Sequence, residues 1–349
     1  MTVLSCNGWS GSAVERLAIR GVIATVRRMF LPTLKPQSIL GLGTIVLDQV
    51  SVLSEYPRED TKTDCLETRL QVGGPVPTAL ALLRKWGINC ALISAWGDDP
   101  AGNLIEGHLR AKRIDHSQSI GIPGAMSASA HVWLSRRNGT RTTACHRMPT
   151  PPALAKIPLD YFQQFTALHL DGWPQAAALR AARTMRESGG TVFLDSGSPK
   201  PGVQELLPYV THLHCPRHFI EQFMGEPDIR VGMRRLLEAG PQSISVTLGQ
   251  EGAMFATAES WYSIPAHTVD VVDSNGAGDV FCGAMIFGLL NGLEHHDCLR
   301  LANAAAALKC GKIGNDQALP TLAQAMERAS SLKDHRLALN QAAMPQNRT

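Results

Sequence analysis

Apolar residues in this chain fall in short runs separated by helical stretches. Residues 38–46 form an apolar run of strand length, and residues 65–72 alternate apolar and polar positions, as a half-exposed strand does. Gly73-Gly74-Pro75-Val76-Pro77 then leads into a helical pattern over 78–86. A strand is predicted at 89–95, closed by Gly97-Asp98-Asp99, and a helix over 100–112. Residues 128–135 and 140–146 alternate on either side of Asn138-Gly139, a dipeptide suited to the positive φ angles of a tight hairpin turn. Strand–helix order then resumes: strand 167–171, helix 175–187, strand 191–195, a short strand 212–215, helix 229–239 and strand 243–248. Helices near 276–291, 296–309 and 322–331 follow, and a polar tail closes the chain.

Repeated strand–helix units predict an α/β fold, a doubly wound and mainly parallel sheet flanked by helices. The strands near 46–72 and 127–147 break the alternation and suit a small β-sheet lid. Residues 37–332 are expected to form this one unit, with 1–36 as an N-terminal extension and 333–349 as a tail. Ligands of such sheets bind at the carboxyl ends of the strands. Asp48, Asp171, Asp195, the loop after Thr247 and residues 273–279 all follow apolar runs. Gly41-Leu42-Gly43 holds two glycines of a dinucleotide fingerprint, but the third is missing.

Composition narrows the class. With 44% apolar and 18% charged residues, the 349-residue chain can bury a sizeable core. A net charge of +3 is too small to argue for nucleic acid, and it is local. Arg16, Arg20, Arg27, Arg28 and Lys35 stand against Glu15 alone in residues 1–36, leaving the remainder near −1. That basic, acid-poor segment reads as a transit peptide, a surface helix or a leader from an upstream start codon. A cytoplasmic location is expected otherwise: several of the eight scattered cysteines sit in apolar runs as buried thiols, and none forms a CxxC pair of a zinc or redox motif. No run of 18 apolar residues suggests a membrane span.

The chemistry concentrates at Asp273-Ser274-Asn275-Gly276-Ala277-Gly278-Asp279. An alternating stretch, residues 268–272, runs in as a strand would, and an apolar helical stretch runs out. Glycines at such a joint let backbone N–H groups approach a ligand, and a helix N-terminus favours phosphate. Asp279 then sits where a carboxylate can take a proton from an attacking hydroxyl. A tight turn with an acidic first helical turn is the plain structural alternative.

The heptapeptide resembles the second signature of the pfkB (ribokinase-like) family of carbohydrate and nucleoside kinases, with Ser274 in place of the usual Thr. The resemblance covers roughly residues 37–330. It implies Asp279 as catalytic base and the amides of Gly276, Ala277 and Gly278 as anion hole. Gly73-Gly74 resembles the family's first signature, with Thr78 where Asn is usual, a variation also found in the ketose and sulfofructose kinase branch. Asp48, Gly73, Gly74, Thr78 and Asp171 are thereby implied as sugar ligands. Thr247-Leu248-Gly249-Gln250-Glu251-Gly252 resembles the nucleotide loop, so Thr247, Gly249, Gly252, Asn275, Asn303 and Gly314 are implied on the ATP side. Asp273 is implied as ligand of a monovalent cation such as K⁺, beside ATP and Mg²⁺. The family's Asn-x-x-Glu stretch is replaced by Cys215-Pro216-Arg217-His218.

The resulting expectation is an ATP-dependent sugar kinase acting on a ketose-like sugar or pentose. It would take a small-molecule acceptor and ATP, without nucleic acid or membrane, and the lid is a candidate homodimer surface. The alternatives are a nucleoside kinase of the same fold and a sugar- or nucleotide-binding regulatory protein with weak catalysis.

Overall fold

Strand β1 (Ser38–Leu42) begins the main sheet, and the chain leaves it at once for a second, smaller sheet. This computed structural model describes residues 37–137, 139–149 and 157–332. The expected extension, Asn138 of the hairpin turn and the tail from 333 lie outside the described residues. Strands β2 (Val46–Leu53) and β3 (Glu67–Gly73) lead to helix α1 (Pro75–Lys85), which returns to β4 (Asn89–Ile93). After β5 (Ala95–Gly97), α2 (Pro100–Lys112) and β6 (Ile120–Ile122), the chain re-enters the small sheet with β7 (Ser129–Ser135) and β8 (Arg141–His146). Short α3 (Leu159–Phe162) precedes β9 (Ala167–Leu170), α4 (Gln175–Glu187), β10 (Thr191–Asp195), α5 (Val203–Leu206) and β11 (His212–Pro216). Helices α6 (Arg217–Met224) and α7 (Ile229–Glu238) lead to β12 (Ser243–Thr247), β13 (Ala253–Thr257) and β14 (Trp261–Ile264). Helices α8 (Ala277–Leu290), α9 (His295–Cys310) and α10 (Leu322–Ser330) complete the fold.

The main sheet runs β14-β13-β12-β11-β10-β9-β1-β4. Strands β4 to β12 pair in parallel, and β13 and β14 add an antiparallel edge. Its two faces carry separate cores. Ile39 of β1 joins α1, α8 and α9 on one side, while Leu40 and Leu42 join α4, α6 and α7 on the other. Period-two alternation thus turns one strand into a contributor to both layers. Helix α8 is buried nearly all round, between the sheet, α1 and α9, which is why its sequence shows no polar face.

The two glycines of Gly41-Leu42-Gly43 have a packing reason. A Cβ at Gly41 would lie 2.5 Å from Val76 Cγ1, and one at Gly43 would lie 2.7 Å from Val76 Cγ2. They let α1 lie close on β1.

The small sheet runs β3-β2-β7-β8 and carries its own apolar patch of Val50, Val52, Ala130, Val132 and Leu134. Its strands fall near 46–72 and 127–147, the stretches read from sequence as a lid. Register places Asp48 opposite both Gln71 and Ala130, and Ala130 opposite Cys145. Arg141, four residues before Cys145, therefore shares the lid face of Asp48.

Several expectations need correction. The run 38–46 is not one strand: it breaks after Leu42, and Asp48 is the third residue of β2 rather than the end of the first strand. The helix after Gly73-Gly74 begins at Pro75, with Gly74 as N-cap, so Thr78 lies one turn inside it. Residues 268–272 alternate like a strand but pair with none, and Val272 and Asp273 instead donate to Cys310 O at 2.8 and 3.1 Å. The antiparallel pair β13–β14 and helix α6 were not anticipated. No helix among the described residues is long and apolar enough to cross a membrane.

Candidate active site

The chain turns from β1 toward β4 on one side and toward β9 on the other, so the sheet's switch point lies between β1 and β9. The Asp171 carboxylate bridges that crevice. It accepts from Thr44 N at 2.9 Å and from Trp173 N at 2.9 Å, and the Lys200 ammonium donates to the Asp171 carbonyl. Asp171, a sugar ligand by resemblance, thus also holds the loops after β1 and β9. Beside it opens a cleft lined by Gly43, Thr44, Ser94, Ala128, Cys145 and Trp173, with His146 and Arg147 at the lid end. Neither His146 nor Arg147 has an ion pair with a described residue.

The signature glycines make room for other groups. A Cβ at Gly73 would sit 2.4 Å from Asp48 Oδ2, and one at Gly74, whose φ is 107°, would sit 2.3 Å from Thr44 O. Asp48 is thus held at the base of the lid, and Asn275 Nδ2 donates to its Oδ2 at 3.4 Å. Burial pushes the Asp48 carboxyl up to about 6, against the hydrogen bonds from Gln71 and Asn275; the nearby Asp279 charge adds to the rise. Asn275, expected on the nucleotide side, faces the sugar-side acid.

Helix α8 starts at Ala277 behind Gly276, whose φ of 74° turns the chain into it. The amides of Gly276, Ala277 and Gly278 open the helix, and a Cβ at Gly278 would meet no atom within 4 Å. Ala277 N donates to Ser274 O at 3.3 Å, and a helix start leaves its other first amides without an intrahelical partner. Asp279 lies in the first helical turn, half-buried. Burial raises its affinity for a proton, while the charges of Arg141 and Lys309 and the hydroxyl of Thr78 oppose the rise. The Thr78 hydroxyl is buried beside it and has no hydrogen-bond partner among the described residues. Asp195 lies behind Asp279, with Oδ2 unpartnered. Burial and the Asp279 charge hold Asp195 well above the usual carboxylate range. Two neighbouring carboxyls do not both ionise readily, so Asp195 takes the proton and leaves the charge to the less buried Asp279.

On the other side, Thr247 ends β12 and Gly249 starts a single turn with φ of 62° and open space in front. Gly252 is required by crowding, since a Cβ there would lie 2.0 Å from Ile264 O. Arg217 reaches this loop through a 2.7 Å ion pair with Glu251, and His218 Nε2 donates to Gly197 O at 2.8 Å. The replaced Asn-x-x-Glu stretch thus builds local contacts at the start of α6. Asn303 Nδ2 donates to Pro265 O at 2.7 Å, anchoring the irregular run before the signature. Gly314 N donates to Asp273 Oδ2 at 2.9 Å. Asp273 itself is fully buried against the Lys309 ammonium, at 2.9 Å from Oδ2.

The structure therefore brings the two signatures together: Gly73 packs against Asp48, Asn275 bonds to Asp48, and Thr78 lies beside Asp279. Thr247, Gly249 and Gly252 lie at the strand ends beyond. Asp171, Asn303, Asp273 and Gly314 brace the surrounding loops. Arg141 and Lys309 were missed from sequence. Arg141 donates to Ser274 O at 3.3 Å and its charge reaches both Asp48 and Asp279. Its signal was its position in the alternation of β8, six residues before Arg147. Lys309 was visible only as a charge near the end of an alanine-rich helix.

A family model described as pfkB family carbohydrate kinase matches residues 37–322. Mouse (Mus musculus) ketohexokinase is 23% identical over 299 residues, 81% of this chain and 99% of that protein. A putative ribokinase from Agrobacterium tumefaciens superposes with a TM-score of 0.78 at 26% identity, covering 85% of this chain and 98% of that one. A putative ribokinase II from E. coli, solved with ATP and Mg²⁺, superposes with a TM-score of 0.74 at 19% identity, covering 84% and 99%.

Proposed function

The chain belongs to the pfkB family of carbohydrate kinases, and from that premise we propose how its residues divide the work and which acceptor they take. It is an ATP-dependent carbohydrate kinase with a ribokinase-like fold. The acceptor is a ketose-like sugar, lying against Asp48 and Gly74 beneath the lid. Its reacting hydroxyl points at Asp279, which takes the proton as the γ-phosphoryl group transfers. The amides of 276–278 receive the developing phosphate charge, where fixed donors act without reorganising. Arg141, on the lid, brings a positive charge over the same centre. Lid closure would exclude water and limit ATP hydrolysis.

One observation carries this reading: Asn275 of the signature run donates to Asp48 Oδ2 at 3.4 Å, which joins the acid of the small sheet to the loop that opens α8 at Asp279. Asp48 suits binding of vicinal hydroxyls, and Asp279 suits proton removal. The ketose class is supported by Gly73-Gly74-Pro75 with Thr78 and by the likeness to a ketohexokinase. A Mg²⁺ ion would be held mainly by the phosphates of ATP, with few protein ligands. That ion would supply charge neutralisation on the phosphates. Exposed Leu70 and Trp133, 58% and 41% accessible on the lid face opposite Asp48, support a homodimer through the lid. Light scattering tests this against a monomer mass.

The test is ADP release with Mg-ATP across ketoses, pentoses, sugar acids and nucleosides, with Asp279→Asn as control. Asp279-dependent turnover with a ketose supports the reading. Turnover with nucleosides alone replaces the acceptor class, and turnover that survives in Asp279→Asn removes the base from its role.

A further inference from the structure

The monovalent-cation site implied at Asp273 does not fit a free ion here. Asp273 and Lys309 are both fully buried, and the Lys309 ammonium donates to Asp273 Oδ2 at 2.9 Å and to Asp273 O at 3.1 Å. Two backbone amides take further acceptor positions of the carboxylate. Asn275 N donates to Oδ1 at 2.8 Å, and Gly314 N donates to Oδ2 at 2.9 Å. Asp273 N donates in turn to Cys310 O, next to Lys309 in the chain. The Lys309–Asp273 pair therefore ties together three segments: the end of α9, the 312–315 loop and the residues leading into the anion hole.

From this geometry we propose that Lys309 is a covalently supplied monovalent cation, which sets the 273–278 cradle for nucleotide phosphate and makes added potassium unnecessary. An ammonium and K⁺ carry the same charge and satisfy the same carboxylate and carbonyl oxygens. The tethered group spends no binding equilibrium to be there. Its charge also extends to Asp279, whose ionised form it favours. Burial lowers the Lys309 proton affinity and the Asp273 carboxylate opposes that, as expected of a retained ion pair. Lys309 is a positioning residue, since it acts through Asp273 and the loop. The inference rests on reading the 276–278 amides as the phosphate cradle.

The experiment is calorimetric binding of Mg·AMP-PNP in choline, potassium and ammonium chloride at equal ionic strength, with melting temperatures in the same three salts. The wild-type protein is expected to show the same affinity and melting temperature in all three. Lys309→Ala, which opens room for an ion, is expected to bind roughly tenfold or more weakly in choline, about the worth of a hydrogen bond to a charged group. K⁺ or NH₄⁺ should restore that affinity and raise the variant's melting temperature. Wild-type affinity or melting temperature that rises with K⁺ overturns the proposal, and so does a folded Lys309→Ala variant indifferent to the cation. If Lys309→Ala does not fold, the wild-type comparison decides alone. A wild-type protein that binds no AMP-PNP in any salt tells against the cradle reading instead; the melting temperatures then still decide whether Lys309 replaces the ion.

Discussion

A Cβ on Gly73 would lie 2.4 Å from Asp48 Oδ2, so the glycine and the carboxylate set each other's place. The signature glycine is needed by an acid twenty-five residues away in sequence, on the neighbouring strand of the lid. Gly73→Ala should push the Asp48 carboxylate out of the cleft. Acceptor KM should rise roughly tenfold or more, the worth of one lost charge-assisted contact. Mg·AMP-PNP affinity should stay unchanged by calorimetry; a parallel loss of nucleotide binding would show a wider distortion.

Asp279→Asn keeps the shape of the first turn of α8 and removes the proton acceptor. Turnover should fall by ~10²–10⁴-fold, the usual contribution of general base catalysis. Acceptor and nucleotide affinities should hold within a few-fold. Single-turnover ADP release, with binding measured separately, checks both halves.

Asp48 titrates near 6, above its ordinary 3.8. The folded state thus holds this proton more tightly than the unfolded chain does. Charging the group costs stability above pH 6, and the cost vanishes below about 3.8. Asp48→Asn should therefore stabilise the ligand-free protein at pH 8 by up to about 3 kcal/mol and by little at pH 4. The same variant should lose acceptor binding. Melting curves at the two pH values, with acceptor titrations, decide it. In the wild type, kcat/KM should fall as pH drops through about 6, where Asp48 becomes neutral.

Arg141 favours the charged forms of both Asp48 and Asp279 from the lid. Arg141→Gln should move the acid limb of the kcat/KM profile to higher pH. A profile that keeps its position while its height drops would leave Arg141 only a contact role.

Gly41 is a packing position, since a Cβ there would lie 2.5 Å from Val76 Cγ1 and 2.6 Å from Leu80 Cδ1. Gly41→Ala should destabilise the protein by about 1–3 kcal/mol through overpacking. Denaturant unfolding measures this, and acceptor specificity should be little affected.

Much of the fold could be read locally. Helices 100–112 and 175–187 and strand 191–195 fell where the pattern put them, because their periodicity, prolines and caps are local properties. The small sheet was visible as strands without intervening helices. Errors arose where the pattern was shared by two states. Residues 268–272 alternate but find no partner strand, and 38–46 is apolar across a turn whose only local sign is Gly43. The all-buried β13 lacks the alternation that marks a half-exposed strand.

For the site, sequence alone marked Gly73, Gly74 and the run from Asp273 to Asp279, since glycines beside a helix start announce themselves by their chemistry. It also marked Asp48 as an acid near a strand. Tertiary structure decided what these residues face. Asp171 turned inward to hold Thr44 and Trp173, Asn275 turned to Asp48, and Arg141 came down with the lid. Lys309, thirty-six residues after Asp273, became its cation only when α9 packed against the loop. Local propensity is written in neighbours along the chain, whereas charge partners are chosen by burial and proximity across the fold, and no single stretch of sequence contains both members of those pairs.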